Sequence, residues 1–228
     1  MLTKNDLLTP LQEELIEQHL EELLEANKIH NLTRITSPEE GRLLHIEDSL
    51  SGLPEMYAAP QGLYADLGTG GGFPGIPLAI VTGRETLLVD SVKKKVAVLA
   101  GIVDTLGLSN QMNTYAGRIE DLARERGAFC AVVTARALSS LPALLELASP
   151  LLKQGGQLIC YKAKVTDEEI EEVGFLKSKL AMRFISRRDF VLSDGATERC
   201  ILVFEKKGYP SVSLPRRCGM AQKNPLSK

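Results

Sequence analysis

The segment Asp66-Leu67-Gly68-Thr69-Gly70-Gly71-Gly72-Phe73-Pro74-Gly75 puts five glycines directly after the apolar run Gly62-Leu63-Tyr64-Ala65. Glycine at this density costs backbone entropy, so the main chain is being kept bare against something that side chains would block. A strand-to-helix turn that cradles a nucleotide-like ligand has that need. Two registers compete for the same residues. Gly70, Gly72 and Gly75 fit G-x-G-x-x-G, the dinucleotide fingerprint. Asp66, Gly68, Gly70 and Gly72 fit acidic-x-G-x-G-x-G, a spacing typical of S-adenosylmethionine (SAM) methyltransferases, in which the leading carboxylate faces the cationic methionine end of the cofactor. A glycine-rich surface turn that holds no ligand is the third reading.

The next chemically suggestive residues follow at Thr86-Leu87-Leu88-Val89-Asp90, a buried-strand pattern that ends in an acid about twenty residues past the loop. Asp90 is therefore a candidate ligand for ribose hydroxyls, and equally a helix N-cap for the segment opening at Ser91 and Val92. That segment carries Val92, Val96, Leu99, Val103 and Leu106 at helical spacing, with Lys93, Lys94 and Lys95 near its start. Lysines in a first turn oppose the helix dipole, so they are candidate phosphate contacts as well as a solvated face. Arg136, in Thr134-Ala135-Arg136-Ala137, offers a fork of donors to a base, a phosphate or a carboxylate, or a structural ion pair.

The elements that must position these residues alternate. Strands are expected near 63 to 66, 86 to 90, 111 to 115, 129 to 134 and 157 to 161, with helices between them. This is the pattern of a parallel sheet covered on both faces. Phe184 to Leu192 and Cys200 to Glu205 then form two strand-like runs joined by Ser193-Asp194-Gly195, an antiparallel pair. The expected fold is α/β, a doubly wound, Rossmann-like methyltransferase sheet closed by an antiparallel C-terminal hairpin. Dinucleotide enzymes more often continue with another helix and parallel strand. Ahead of the sheet stand two helices. Residues 10 to 28 open at Pro10 and put Leu11, Leu15, Ile16, Leu20, Leu23 and Leu24 on one face; a second helix starts at the capping box Ser37-Pro38-Glu39-Glu40 and runs to about Ser51. The chain thus divides into a helical extension (1–60), a core (61–205) and a basic tail (206–228).

With 228 residues, 44% hydrophobic and 25% charged, the composition is that of an ordinary globular protein. No stretch approaches a membrane span, and Met1-Leu2-Thr3-Lys4-Asn5-Asp6 lacks a signal-peptide core, so a cytoplasmic address is expected. Cys130, Cys160, Cys200 and Cys218 are widely spaced and His19, His30 and His45 show no ligand spacing, so no metal is expected. Net charge is -2, but it is unevenly distributed: residues 1 to 30 hold seven acids and two lysines, whereas residues 206 to 228 hold six basic residues and no acid. A basic tail of that kind can follow a phosphate backbone.

Taken together, the motifs resemble the small-subunit (16S) rRNA guanine-N7 methyltransferases, the glucose-inhibited division protein B family, over nearly the whole chain. Those residues are Asn27-Lys28, Asn31-Leu32-Thr33, His45 with Asp48-Ser49-Leu50, the loop from Asp66 through Gly75-Ile76-Pro77-Leu78-Ala79, Asp90-Ser91, Thr134-Ala135-Arg136-Ala137, Leu152-Lys153-Gln154-Gly155-Gly156, Pro215-Arg216-Arg217, Gly219 and Lys223-Asn224-Pro225-Leu226. The chain departs from the family in lacking tryptophan, in Ala135 where serine is usual and in Lys162-Ala163 where Lys-Gly is usual. The resemblance implies that Gly68 and Phe73 contact SAM, that Asp90 and Ser91 hold its ribose, that Ile119 and Glu120 lie against adenine, and that Arg136 lines the site. It also implies 16S rRNA or the 30S particle as partner. A monomer is expected.

Guanine N7 carries an in-plane lone pair and needs no proton removed, so such an enzyme requires positioning and water exclusion but no general base. The chain has no Asn-Pro-Pro-Tyr after the fourth strand and no Pro-Cys dyad, which disfavours amino-group and C5 methylation. RNA must present its guanine unstacked. Candidate RNA contacts are Lys93, Lys94, Lys95, Arg118, Arg136, Arg216, Arg217 and Lys223, with Asn31 and His45. Two other functions remain open: a non-catalytic SAM-binding, RNA-interacting regulatory module, and an NAD-dependent oxidoreductase using the Gly70 register.

Overall fold

The computed structural model describes residues 8–227; the N-terminal hexapeptide and Lys228 of the basic tail lie outside the described residues. Helix α1 (Pro10–His30) starts at a complete capping box: Thr9 Oγ1 accepts from the Gln12 amide, and Gln12 Oε1 accepts from the Thr9 amide. It stops at Asn31, which adopts the left-handed conformation at φ 50°. The buried face is Ile16, His19, Leu20 and Leu23, turned slightly from the leucine stripe expected; Leu11 is exposed, because it is Gln12 that reaches the next layer, donating to the Ile80 and Val81 carbonyls.

The second helical run is not uniform. Helix α2 (Pro38–Gly41) is capped by Ser37 Oγ, which accepts from the Glu40 amide, and the chain then widens into a π-helical stretch (Arg42–Glu47) before α3 (Asp48–Leu50) and α4 (Leu53–Ala58). Stretches of π-helix are rare and gather at functional sites. Here the stretch carries buried His45 and runs directly into buried Asp48 and Ser49.

The core follows as β1 (Tyr64–Leu67), α5 (Gly75–Thr82), β2 (Thr86–Asp90), α6 (Lys93–Thr105), β3 (Met112–Ala116), α7 (Ile119–Arg126), β4 (Cys130–Arg136), α8 (Leu141–Ala148) and β5 (Leu152–Lys162). Helices α9 (Asp167–Gly174) and α10 (Lys177–Leu180) lead to the hairpin β6 (Met182–Val191) and β7 (Glu198–Lys206), and α11 (Met220–Lys223) lies in the tail. The seven strands are ordered β3-β2-β1-β4-β5-β7-β6; the first five are parallel, and β7 pairs antiparallel with both β5 and β6. The doubly wound sheet with its closing hairpin is as the sequence pattern predicts. Strand β5 begins earlier than expected, because Lys153–Gly156 forms a bulge between the Cys130 and Val132 registers, with Gly155 at φ 82° and no room for a side chain at Gly156.

Strand order reverses between β1 and β4, so their carboxyl ends form the crevice at which ligands bind in such sheets. Alternate residues of β1 feed opposite layers: Tyr64 packs with α1, α5 and α6 residues such as Ile16, Ile76 and Leu99, whereas Ala65 packs with Leu122, Leu144 and Phe204. Covering on both faces explains why the strands read as continuous apolar runs.

The tail is docked rather than trailing. Arg216 donates from Nε and Nη2 to both carboxylate oxygens of Glu146 at 2.6 Å, and Glu146 is buried on α8. This corrects the assignment of Arg216 to an RNA phosphate: its fork is spent on a buried carboxylate with which, among the described residues, it forms the one ion pair. Arg124 Nη2 donates to the Arg216 carbonyl and Lys179 Nζ to the Ser227 carbonyl, so the tail is held along its length. Replacing Arg216 by Ala is expected to destabilise the protein by roughly 2–4 kcal/mol, because Glu146 is left buried without its partner. Trypsin should then cut faster at the exposed Arg217 and Lys223. Unchanged melting temperature and unchanged cleavage rate would contradict this account of the tail.

Candidate active site

The glycine loop is shaped from below by one carboxylate. Asp66, at the end of β1, is fully buried; its Oδ2 accepts from the Gly75 amide at 3.0 Å and its Oδ1 from Thr134 Oγ1 of β4 at 2.6 Å. Thr134 has a single proton to give, so the Tyr64 hydroxyl donates to Thr134 Oγ1 at 2.7 Å. Burial raises the Asp66 pKa, opposed by the Thr134 hydrogen bond and by the nearby positive charge of Arg136. Asp66 therefore stands at the base of the loop rather than on its ligand-facing rim. The sequence-based placement, facing a cofactor's methionine end, is corrected to a positioning role.

Above it, Gly68 and Gly70 take φ of 70° and 57°, conformations that favour glycine. The Gly68 and Thr69 amides both donate to the Val89 carbonyl, and the Gly70 amide donates to Asp90 Oδ2 at 3.2 Å. A Cβ at Gly70 would meet nothing closer than 3.9 Å. At Gly72 it would strike Ile76, His19 and Leu99, so this glycine faces the packed layer. That separates the two registers, because the dinucleotide fingerprint needs its second glycine, Gly72, against the pyrophosphate. Asp90 is not the cap of α6. Val92 occupies that position, and Asp90 Oδ1 instead accepts from the Val92 amide at 2.9 Å while Oδ2 holds the loop.

Gly68, Asp90, Ser91, Arg118, Ile119 and Glu120 line one cavity, with Val89, Gly117, Leu138, Leu147 and Gln222. The structure thus brings together residues that the sequence singled out from three separate strand ends. Glu120 is less free than expected, since its Oε1 accepts from the Gly219 amide at 2.6 Å. That bond draws the tail to the cavity and explains Gln222 in its wall; nothing in the sequence of the tail signals this. The lining suits a nucleoside cofactor: backbone without a side chain at Gly68, a carboxylate for hydroxyls at Asp90, and apolar walls at Ile119 and Leu138.

Phe73 does not present a ring face to that cavity. It is buried and stacked on both sides by imidazoles, His19 at 4.2 Å and His45 at 4.6 Å between centroids. His19 Nε2 donates to the Gly71 carbonyl at 2.8 Å, fixing α1 to the loop. His45 is bonded through Nε2 to Thr33 Oγ1 and through Nδ1 to Arg136 Nη2. Both expectations change accordingly: Phe73 supports the loop, and His45 is a hydrogen-bonded, largely buried residue rather than an RNA ligand. His19, set aside in the sequence for want of ligand spacing, is the residue missed.

Arg136 likewise turns inward, Nη1 donating to the Leu44 carbonyl at 2.8 Å and to Asp48 Oδ2 at 3.0 Å. Asp48 is shared, its Oδ1 accepting from Arg199 Nε at 3.1 Å. These residues line a second cleft of about 420 Å³ with Ile35, Leu44, His45, Ala137, Tyr161, Lys162 and Ala163. The two cavities flank the segment that leaves β4, since Ala137 lines one and Leu138 the other. Of the remaining candidates, Asn31 and Lys95 line a broad groove with Lys28 and Arg34, while Lys93, Lys94, Arg118, Arg217 and Lys223 are exposed.

The sequence matches the rRNA small subunit methyltransferase G family over residues 12–188. The chain belongs to that family. It is 35% identical to ribosomal RNA small subunit methyltransferase G of Streptococcus pyogenes serotype M2 (strain MGAS10270), over 96% of this chain and 94% of that one. The protein of the same name from Streptococcus thermophilus (strain CNRZ 1066) is 34% identical over 96% and 93%. Among solved structures, the fold is similar to that of an O-methyltransferase from Bacillus cereus in complex with SAH (TM-score 0.57, 18% identity, 82% of this chain and 90% of that chain). It is also similar to geranyl diphosphate methyltransferase in complex with SAM (TM-score 0.54, 9% identity, 69% and 84%).

Burial lowers the pKa of His19 to about 4 and, with the neighbouring Arg136 and His19, that of His45 to about 3. Both imidazoles are thus neutral in the folded state while the unfolded chain takes up protons below its ordinary value of 6.5. Stability contributed by the pair is complete above that value and falls with pH towards about 4 for His19 and about 3 for His45, losing about 2 kcal/mol per histidine by pH 5. Urea unfolding of the parent and of His19→Gln at pH 7 and pH 5 checks this. The variant is expected to lose about 2 kcal/mol less. Asp66, whose raised pKa acts in the opposite sense, is common to both proteins and cancels. An identical pH dependence of the two would contradict the buried neutral stack.

Proposed function

We propose that this chain is a SAM-dependent methyltransferase that methylates N7 of one guanine in 16S rRNA, on the RNA or on the 30S particle. The observation that carries the N7 assignment is the state of the second cleft's titratable groups. His45 has both nitrogens bonded, Asp48 is ion-paired twice, the Tyr161 hydroxyl donates to the Ser49 carbonyl, and Lys162 Nζ donates to the Ser139 carbonyl. Burial also pushes the Tyr161 phenol well above its ordinary pKa. With its imidazole, phenol and amine bonded within the protein, the lining offers no general base beyond the ion-paired Asp48 carboxylate, which suits a nucleophile whose lone pair is already available, and N7 of guanine is one.

SAM, when bound, supplies an electrophilic methyl group on a sulfonium. The residues that would hold it are Gly68 and Gly70 by their backbone, Asp90 and Ser91 towards ribose hydroxyls, and Ile119, Glu120 and Leu138 around the adenine. Phe73, His19 and Asp66 keep the loop in shape. Catalysis then rests on alignment and on excluding water, effects worth about 7–11 kcal/mol in well-oriented reactions. The exposed Lys93, Lys94, Arg118, Arg217 and Lys223 are left to meet RNA phosphates, and a fall in affinity with rising salt is the expected signature.

The test is transfer of tritium from labelled SAM to small-subunit RNA and to 30S particles, with nuclease mapping and mass analysis of the labelled nucleotide. N7-methylguanosine at a single position is expected. Tight SAM binding without transfer to either acceptor would instead favour a non-catalytic RNA-interacting module. Asp90→Ala is expected to weaken SAM binding at least about tenfold, as loss of hydrogen bonds to a charged group does, while RNA affinity is retained. Unaltered SAM affinity in that variant would remove Asp90 from the cofactor site.

A further inference from the structure

We propose that Asp48 is a catalytic residue that reads the target guanine by its N1–H and N2-amino edge and stabilises the positive charge that N7 acquires; this deepens the N7 reading above and rests on it. An enzyme that delivers a methyl group to N7 must leave the N7 edge open and grip the purine elsewhere. The opposite edge of guanine carries only donors, N1–H and the N2 amino group, and a carboxylate accepts from both at once. Asp48 is the one carboxylate lining the second cleft among the described residues.

Its surroundings fit that task. The carboxylate is buried on α3 and held from both sides, by Arg136 Nη1 on Oδ2 and Arg199 Nε on Oδ1. An ionised carboxylate has roughly four lone-pair sites, so about one on each oxygen is left for a ligand. The paired arginines fix its position, and with Lys162 they make the cleft net positive, as an anionic nucleotide requires. Ile35 and Leu44 supply apolar walls, and about 420 Å³ falls within the range of small-molecule sites. The cleft also opens on the correct side of the chain, because only the Ala137–Leu138 step separates its lining from that of the glycine-loop cavity.

The chemistry gives Asp48 more than a binding role. As the N7–CH3 bond forms, the S–CH3 bond breaks with its electron pair left on sulfur, and the positive charge passes from the sulfonium to the purine. No proton is transferred. The charge spreads over the ring and makes N1–H and the N2 amino group stronger donors. A carboxylate facing them therefore binds the transition state better than the neutral guanine, which is the condition for raising the rate rather than only the affinity. It also offsets Arg136, whose charge opposes the cation forming in the ring.

The test compares 30S particles reconstituted with RNA carrying guanosine or inosine at the mapped acceptor position. Inosine keeps N7 and lacks the N2 amino group, so the proposal expects a preference for guanosine of about 10–100-fold in kcat/KM, as sites built on a charged hydrogen bond show. Asp48→Asn should lower kcat by about 10–100-fold, leave SAM affinity unchanged and bring the guanosine preference down to within a few-fold. Arg199→Gln loosens the same ion-pair network but keeps the carboxylate, and should retain the preference. Melting temperature and SAM affinity report whether each variant is folded. Equal preference in the parent and Asp48→Asn, or its loss in both variants alike, would overturn the proposal in favour of a structural ion pair. Failure of the parent to methylate N7 of the guanosine particle would overturn the underlying reading instead.

Discussion

The Asp66 carboxylate is the constraint around which the site is built. A charge-bearing group at zero exposure is costly unless it is hydrogen-bonded, and Asp66 spends its bonds where they tie three elements together: β1 on which it sits, β4 through Thr134, and the N-terminus of α5 through the Gly75 amide. Parallel pairing already places Asp66 opposite Thr134, so the side-chain bond reinforces the backbone register at the strand-order reversal. A Cβ on Gly75 would come within 2.8 Å of Asp66 Oδ2. The small residue and the buried acid are therefore one device, which fixes how the intervening glycines arch over the crevice.

The helical extension completes that device from above. Two imidazoles and one phenyl ring form a continuous stack, and each imidazole is anchored elsewhere: His19 on the Gly71 carbonyl, His45 on Thr33 and Arg136. Stacked aromatic contacts of this kind are worth about 0.5–1.5 kcal/mol each beyond the area they bury. Their larger consequence is geometric. The loop is clamped between the sheet and α1, so the extension acts as a structural half of the site rather than as an appendage beside it.

How far this was legible in the sequence varies with the kind of signal. Strands β1, β2 and β4 announced themselves because both faces are covered and the runs are largely apolar; Asp90 could be placed because it ends a strand at the crevice, whereas Ser91, Ile119 and Glu120 were placed by the family resemblance. What stayed hidden depends on partners far apart in the chain. His19 looked inert because its bond is to a backbone carbonyl, which no side-chain spacing encodes. The π-helical stretch leaves the apolar periodicity on either side of it intact, so Arg42–Glu47 resembled ordinary helix. Arg216 was misread because its partner Glu146, an acid buried within an apolar helix, lies 70 residues away in the chain, where no local pattern of the tail points to it.

Ala137 shows how the halves of the site are kept apart. It adopts φ 53°, a conformation costly for a residue with a Cβ, at the point where the chain leaves β4. The reversal turns successive residues to opposite sides: Arg136 and Ala137 to the cleft of Asp48, Leu138 to the cavity of Gly68 and Asp90. A relaxed extended residue would carry the strand onward and present alternate side chains to the two faces of the sheet instead. In the proposed reaction donor and acceptor must meet in line yet be recognised by unlike chemistry, hydroxyl-accepting on one side and purine-accepting on the other. A strained step one residue long, braced by Arg136 on Leu44, His45 and Asp48, supplies that division without lengthening the path between the reacting atoms.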